Sequence, residues 1–422
     1  MKRYSEYKDS GVQWLGEIPG HWGLIKMKYL FNERSEKNHP DEVPLCATQK
    51  YGVIPQELYI SYGNRVVVVN KGFEHLKFVK VGDFVIHLRS FQGGIEYAYY
   101  QGISSAAYTI LYPKNEANTQ YFKHLFKSSK YIELLKTCVT GIREGQNINY
   151  PLLSTKQIPL PPLSEQHSIV SYLEDKCEKI DKMLEGKQKQ IELLAEMKQR
   201  IIAETVTRGL DPNVEMKTTN IPWLPEIPEH WKEQRMASLF TGEIEVNKDF
   251  EFKHAFKFNY GQLVPKNEIG DPEEYREVYV KYSKIKSGDI LINGLNLNYD
   301  FVSQRVACAP SDGIITSAYV VCRPRTGVNY DYYTYLFKSM DSMKLFHGMG
   351  TGIRLTLSFK ELKKQIIPIP PQSEQNAVVK FIKDKEAKFD ALTSKLQQEI
   401  ESIKEYKQRL ISDVVTGQIK VC

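Results

Sequence analysis

Long apolar runs are missing from this chain. No eighteen consecutive apolar residues occur among its 422, which excludes a membrane-spanning helix of ordinary length. The opening MKRYSEYKDSG lacks the apolar core of a secretory signal, so the expected location is the cytoplasm. Paired cysteines are missing too. Cys46, Cys138, Cys177, Cys308, Cys322 and Cys422 are scattered without a CxxC pair, the pattern of free thiols in a reducing compartment. No GxxxxGK[ST] phosphate loop, HExxH zinc helix or glycine-rich nucleotide fingerprint is present. Nor is there an Asn-Pro-Pro-aromatic or Asp-Pro-Pro-Tyr tetrapeptide, the mark of enzymes that methylate an exocyclic amine of DNA. Glu-x-Lys tripeptides at Glu251–Lys253, Glu361–Lys363 and Glu386–Lys388 resemble nuclease triplets, but a chain with 26% charged residues produces them by chance. Catalysis, cofactor binding and metal binding therefore have no candidate site in the sequence.

What the chain has is a repeat. WLGEIPGHW (14–22) returns as WLPEIPEHW (223–231), IPLPPLSEQ (158–166) as IPIPPQSEQ (367–375), and RIIAETVT (200–207) as RLISDVVT (409–416), each 209 residues later. One offset for three blocks means two tandem copies of one unit. Long stretches between the blocks share little, so the frame is kept while the faces vary. His21 and His230 occupy matching places and read as turn-ordering partners of Trp22 and Trp231 rather than as general bases. Charge is uneven: residues 1–158 hold 20 Lys+Arg against 14 Asp+Glu, and residues 211–367 hold 20 of each. The basic first quarter is compatible with a phosphate-backbone partner.

Each copy divides into a globular part and a long helix. The domains read as 1–158, 159–210 (first spacer helix), 211–367 and 368–422 (second spacer helix). A proline pair precedes each helix, Ser164 and Ser373 are expected N-caps, and Glu165 and Glu374 suit the positive end of the helix dipole. Apolar residues at Ile180, Met183, Ile191, Leu194, Met197 and Ile201, and at Phe389, Leu392, Leu396, Ile400, Ile403, Tyr406 and Leu410, alternate near three and four as a coiled-coil seam does. Gly186 and Lys187 interrupt the first seam. Two helices of similar length in one chain are expected to pair antiparallel. The globular parts carry β-rich runs, RVVVV (65–69), VGDFVIHL (81–88), AAYTILY (106–112), KSGDILIN (286–293) and SAYVVCR (317–323), each followed by a helical stretch. The fold class is α+β: two tandem domains, each followed by a long helix, with a pseudo-twofold and nearly cyclic arrangement.

Such an arrangement would present two faces at a fixed separation, as two half-sites on a duplex require. Arg, Asn and Gln can bond bidentately to base edges. Loop-like stretches supply Arg89, Gln92, Arg143, Gln146 and Asn147 in the first domain, and Asn296, Asn298, Arg305 and Arg354 in the second. Thr140–Arg143 and Thr351–Arg354 both read TGIR, so Arg143 and Arg354 suit a phosphate or a partner better than a base.

The opening YKDSGVQWLGEIPGHW, the IPLPPLSEQ and IPIPPQSEQ junctions, and paired helices ending in VTRG and VTGQ resemble the specificity subunits of type I restriction–modification systems over essentially the whole chain. The resemblance implies two target-recognition domains reading a bipartite, asymmetric DNA sequence across a gap set by the spacer helices. It implies two methyltransferase subunits that modify adenine N6 with S-adenosylmethionine, and motor–nuclease subunits that use ATP and Mg. It also implies a chain without catalysis or cofactor of its own. A coiled-coil scaffold with two protein-binding domains, or a subunit serving modification alone, are the alternatives the residues leave open.

Overall fold

A computed structural model describes residues 2–67, 71–114, 119–140, 147–266, 271–352 and 355–421. Two compact units emerge, and they are not sequential halves. The first gathers Met1–Gln188 with Gln397–Cys422; the second is Lys189–Leu396. Each unit therefore takes one globular part, the adjoining portion of one long helix and the complementary portion of the other.

A four-stranded antiparallel sheet centres each globular part. In the first unit the order is Phe31–Arg34, Thr109–Pro113, Phe84–Ile86, Glu96–Tyr97; in the second it is Phe240–Thr241, Val320–Pro324, Ile290–Ile292, Val306–Cys308. The inner strands are buried almost end to end, which is why FVI and ILI read as continuous apolar runs rather than alternating ones. Of the run RVVVV, residues 65–67 lie outside any strand and 68–69 lie outside the described residues. The first unit's helical stretch is two helices, Thr119–Phe126 and Ser129–Thr137. The Ser128 hydroxyl caps the latter by accepting from Tyr131 N. The second unit has one continuous helix, Tyr330–Ser342, capped by Asn329.

The long helices run Leu163–Arg208 (46 residues) and Gln372–Val415 (44 residues). They start one residue before the expected serine caps, so Ser164 and Ser373 lie in the first turn. The work of ordering that turn falls to the next residues of the SEQ block. Gln166 Nε2 donates to Pro161 O and Gln375 Nε2 to Pro370 O, each at 2.9 Å, tying the proline hinge to the helix.

The two helices pair antiparallel. In the first unit Asp181 meets Lys407 at 2.6 Å and Lys187 meets Glu399 at 2.5 Å. In the second unit Lys198 meets Asp390 at 2.9 Å and Glu386 at 3.3 Å. Burial follows an unbroken heptad: Leu173, Cys177, Ile180, Leu184, Lys187, Ile191, Leu194, Lys198, Ile201, Thr205 on the first helix, and Ile382, Glu386, Phe389, Thr393, Leu396, Ile400, Ile403, Lys407, Leu410, Val414 on the second. Every one of these is at least partly covered. Met183, Met197, Leu392 and Tyr406 are exposed and off the seam. Each sits one residue from a true seam position. Reading for apolar residues alone chose Met197 and Tyr406 over Lys198 and Lys407, whose aliphatic stems cover the seam while their ammonium groups reach carboxylates. Lys187 likewise belongs to the seam instead of interrupting it.

Each core continues from the globular part into both helix segments. In the first unit Trp22, Phe31, Phe84, Phe122 and Phe126 share a cluster with Ile169, Leu173, Leu410 and Val414. In the second, Phe240, Tyr332 and Phe337 share one with Val206, Val378 and Ile382. One bond recurs in both. Tyr121 Oη donates to Val415 O at 2.9 Å, and Tyr332 Oη donates to Val206 O at 2.7 Å. The last turn of a helix leaves its carbonyls without intrahelical donors, and a buried tyrosine supplies one. No helix among the described residues is long and apolar enough to cross a membrane.

Candidate functional site

The repeated blocks meet at one joint in each unit. Trp22 is fully buried, and its Nε1 donates to Glu165 at 3.0 Å; Tyr4 Oη donates to the same carboxylate at 2.9 Å, and His21 pairs with it. In the second unit Trp231 Nε1 donates to Glu374 at 3.0 Å and His230 meets it at 2.8 Å. Burial alone would raise the pKa of Glu165, but the bonds from Trp22, His21 and Tyr4 outweigh it and hold the carboxylate below its ordinary value. So the HW of one block and the SEQ of the other are two ends of one interaction. Its recurrence, with an indole in each case, makes it a structural joint rather than an acid–base pair. Among the described residues, no group of three or more His, Cys, Asp or Glu could hold a metal ion.

The variable stretches collect elsewhere, at the connection between the third and fourth strands of each central sheet. In the first unit this is residues 87–95, with a helical turn at Ser90–Gly93. Lys127 Nζ holds it from beneath, donating to Gly93 O at 3.0 Å and pairing at 2.5 Å with Glu96, which is fully buried. Gly94 sits at φ +87°, and a Cβ there would come within 2.2 Å of Phe126 O, so only glycine allows the turn to lie this close. Arg89 and Gln92 are exposed on this turn. Asn147 is exposed on the short strand Asn147–Ile148, which pairs with Val139–Thr140 and lies beside the turn. Arg89 and Gln92 thus lie exposed on the turn, and Asn147 on the strand beside it. Arg143 and Gln146 lie outside the described residues.

In the second unit the same connection is longer, residues 293–305. Asn296 is exposed, in the left-handed region at φ 52°, which asparagine tolerates better than most side chains. Asn298 is half-covered, and its amide oxygen is buried. Arg305 corrects an expectation. It is fully buried, and its guanidinium donates to Asn293 O at 2.9 Å, Leu295 O at 2.8 Å and Asp300 O at 2.5 Å. Its backbone N–H donates to Asp341 at 2.7 Å. A planar fork with five donors suits several carbonyls at once, so Arg305 builds the loop from inside instead of facing a base. Thr351 and Gly352 of the second TGIR are described, and Leu357 N in that segment donates to Gly294 O at 2.9 Å at the base of the loop. Arg354 lies outside the described residues.

The sequence reading missed the outermost side chains of this loop. Tyr299 is 81% exposed, Val302 91% and Phe301 53%. The signal was available: three large apolar residues in an Asn-rich stretch without strand or helix periodicity have no core to join.

With this geometry in view, the family is settled. The model of the type I restriction modification DNA specificity domain matches residues 23–193 and 249–402, and the chain belongs to that family. It is 23% identical over 434 residues to the putative type I restriction enzyme MjaX specificity subunit of Methanocaldococcus jannaschii, covering 96% of each chain. It is 20% identical over 325 residues to the EcoBI specificity subunit of Escherichia coli, covering 72% of this chain and 67% of that one. Among solved structures, a chain from a study of complex assembly and conformational transition of the type I R-M system matches with TM-score 0.62 at 16% identity, covering 95% of this chain and 99% of the other. The HsdS subunit of Thermoanaerobacter tengcongensis matches with TM-score 0.51 at 16% identity, covering 95% and 98%. The chain is a type I restriction–modification specificity subunit, with the fold these structures share.

Proposed function

We propose that each unit reads one half of a split, asymmetric DNA target, and that the paired helices act as the ruler between the halves. The observation that supports this most directly is the contrast within each unit. The joint, the buried tyrosine bond and the seam recur, while the connection after the third strand differs in length, charge and support. A protein that directs enzymes to one sequence needs that combination. Base edges are read by the variable side chains, and invariant groups position the backbone. The chain itself supplies recognition. Adenine-N6 methylation with S-adenosylmethionine belongs to two partner methyltransferase subunits, and ATP- and Mg-dependent cleavage belongs to partner motor–nuclease subunits.

Methylome sequencing of cells carrying the chain with its methyltransferase partner tests the reading. The expected result is one bipartite motif with adenine methylated in both halves and a constant gap. Inserting seven residues into each long helix should lengthen that gap and leave both half-motifs unchanged. A continuous motif, or a gap indifferent to helix length, contradicts the proposal.

A further inference from the structure

The loop Asn293–Gln304 shows an unusual division of its chemistry. Its only charged side chain, Asp300, accepts from Val302 N at 3.1 Å and Ser303 N at 2.9 Å. Those bonds, led by Ser303, pull its pKa to about 2. The adjoining cation, Arg305, is consumed by the loop's own carbonyls and lies 3.7 Å from Asp300. Phe301 is braced by a stacked His347 ring at 4.6 Å, and His347 Nε2 donates to Asp300 O at 3.0 Å. The cation is therefore turned inward, and the carboxylate, a third of it in solvent, is tied to the loop's own backbone N–H groups. What faces outward is Asn296, Tyr299, Phe301, Val302 and Gln304: two amides, a phenol and apolar surface.

We propose that this loop is the base-reading element of the second unit, and that it reads adenine–thymine pairs. The inference rests on the DNA-recognition reading above and gives it a ligand chemistry. A loop built to grip phosphates needs cations, and this one presents none. Amides match the N6 and N7 edge of adenine, and an apolar side chain matches the thymine methyl in the major groove. A loop tied down by Asp300, Arg305 and His347 has less freedom to lose on docking. The first unit's turn carries Arg89 and Gln92, with Asn147 on the strand beside it, and an exposed guanidinium matches guanine O6 and N7.

The test is methylome sequencing with the full chain and its methyltransferase, comparing wild type with Asn296→Asp, Val302→Ser and Gln304→Ala. Asp at 296 keeps the shape and removes the amide donor, so one adenine in one half-motif should give way to cytosine, whose N4 donates to a carboxylate. Val302→Ser should relax one thymine, and Gln304→Ala one adenine, each by roughly tenfold or more in methylated-site preference. The other half-motif and the gap should not change. Unaltered half-motifs in all three variants would overturn the proposal, as would a wild-type half-motif of guanine and cytosine at the affected positions. Loss of co-purification with the methyltransferase, with sequence preference intact, would overturn it in favour of a protein-docking loop. A wild-type complex with no bipartite motif would remove the recognition reading itself, and this inference with it.

Discussion

The two units share one frame, and they part most clearly in the connection after the third strand of the central sheet. After the third strand of the central sheet, the first unit makes a short helical turn over a lysine–glutamate pair, Lys127 and Glu96. The second makes a long loop around an arginine and braces it with Asp341. Lys127 keeps a quarter of its side chain in solvent, whereas Arg305 has none. A longer loop exposes more backbone, and a fork donor can satisfy several carbonyls from one point where an ammonium satisfies fewer in fixed directions. The joint beneath is the same in both: indole and imidazole on one glutamate, and a tyrosine on the end of a helix. The lesson is that a shared frame carries two connections with different supports, Lys127 with Glu96 in one unit and Arg305 in the other.

That comparison can be broken most severely at Arg305. Arg305→Met leaves the carbonyls of Asn293, Leu295 and Asp300 without their buried donor, and should cost about 3–5 kcal/mol in thermal unfolding. Lys127→Met, which removes the support of the first unit's turn, should cost about 1–3 kcal/mol, because water can reach the vacated position. Equal losses would show that the two supports are not different in kind. Next in size, Tyr121→Phe and Tyr332→Phe each strand one buried helix-end carbonyl and should each cost about 1–2 kcal/mol. Here the two values should match, since the bond belongs to the frame; calorimetry that separated them would weaken the division into frame and face.

Acid sharpens the same point at the joint. The folded-state pKa of Glu165 lies below its ordinary value. Its contribution is therefore complete above the ordinary glutamate range and fades as pH falls through the lowered value. Unfolding followed from roughly pH 6 down to 3 should show a loss that Glu165→Gln flattens. A variant as acid-sensitive as the parent would place the titration elsewhere. The smallest effect is expected at the seam. Lys198→Met and Lys407→Met remove equivalent ion pairs that are partly in solvent, and each should change stability by about 0–1 kcal/mol, equally in the two units.

Much of this was legible in the residues, and the failures have physical causes. The repeat, the strand runs at 84–86 and 290–292 and the long helices follow from periodicity and from prolines that stop a helix. The seam was displaced at four places: at Lys198 and Lys407 because lysine stems can line a coiled coil and hydropathy does not count them, and at Leu184 and Thr393 because the apolar Met183 and Leu392 stand one residue away. The connecting loops were legible as loops, since Asn- and Gln-rich stretches without periodicity do not form strands or helices. The role of Arg305 was not. Whether an arginine points out or in depends on the path of twelve loop carbonyls, a tertiary fact with no local signature. The tie of Trp22 to Glu165 was hidden for the same reason: 143 residues separate them, and nothing near either one names the other.

The first unit needs residues from both ends of the sequence, and this sets an order of assembly during synthesis. Its core includes Leu410, Ile411, Val414 and Val415, and Tyr121 has no acceptor until Val415 exists. The second unit draws only on Lys189–Leu396, one uninterrupted stretch. On the ribosome, the part that emerges first must therefore wait with an open apolar groove, while the part that emerges later is the first to close. The nascent chain therefore carries that apolar groove uncovered until the final turns of helix arrive.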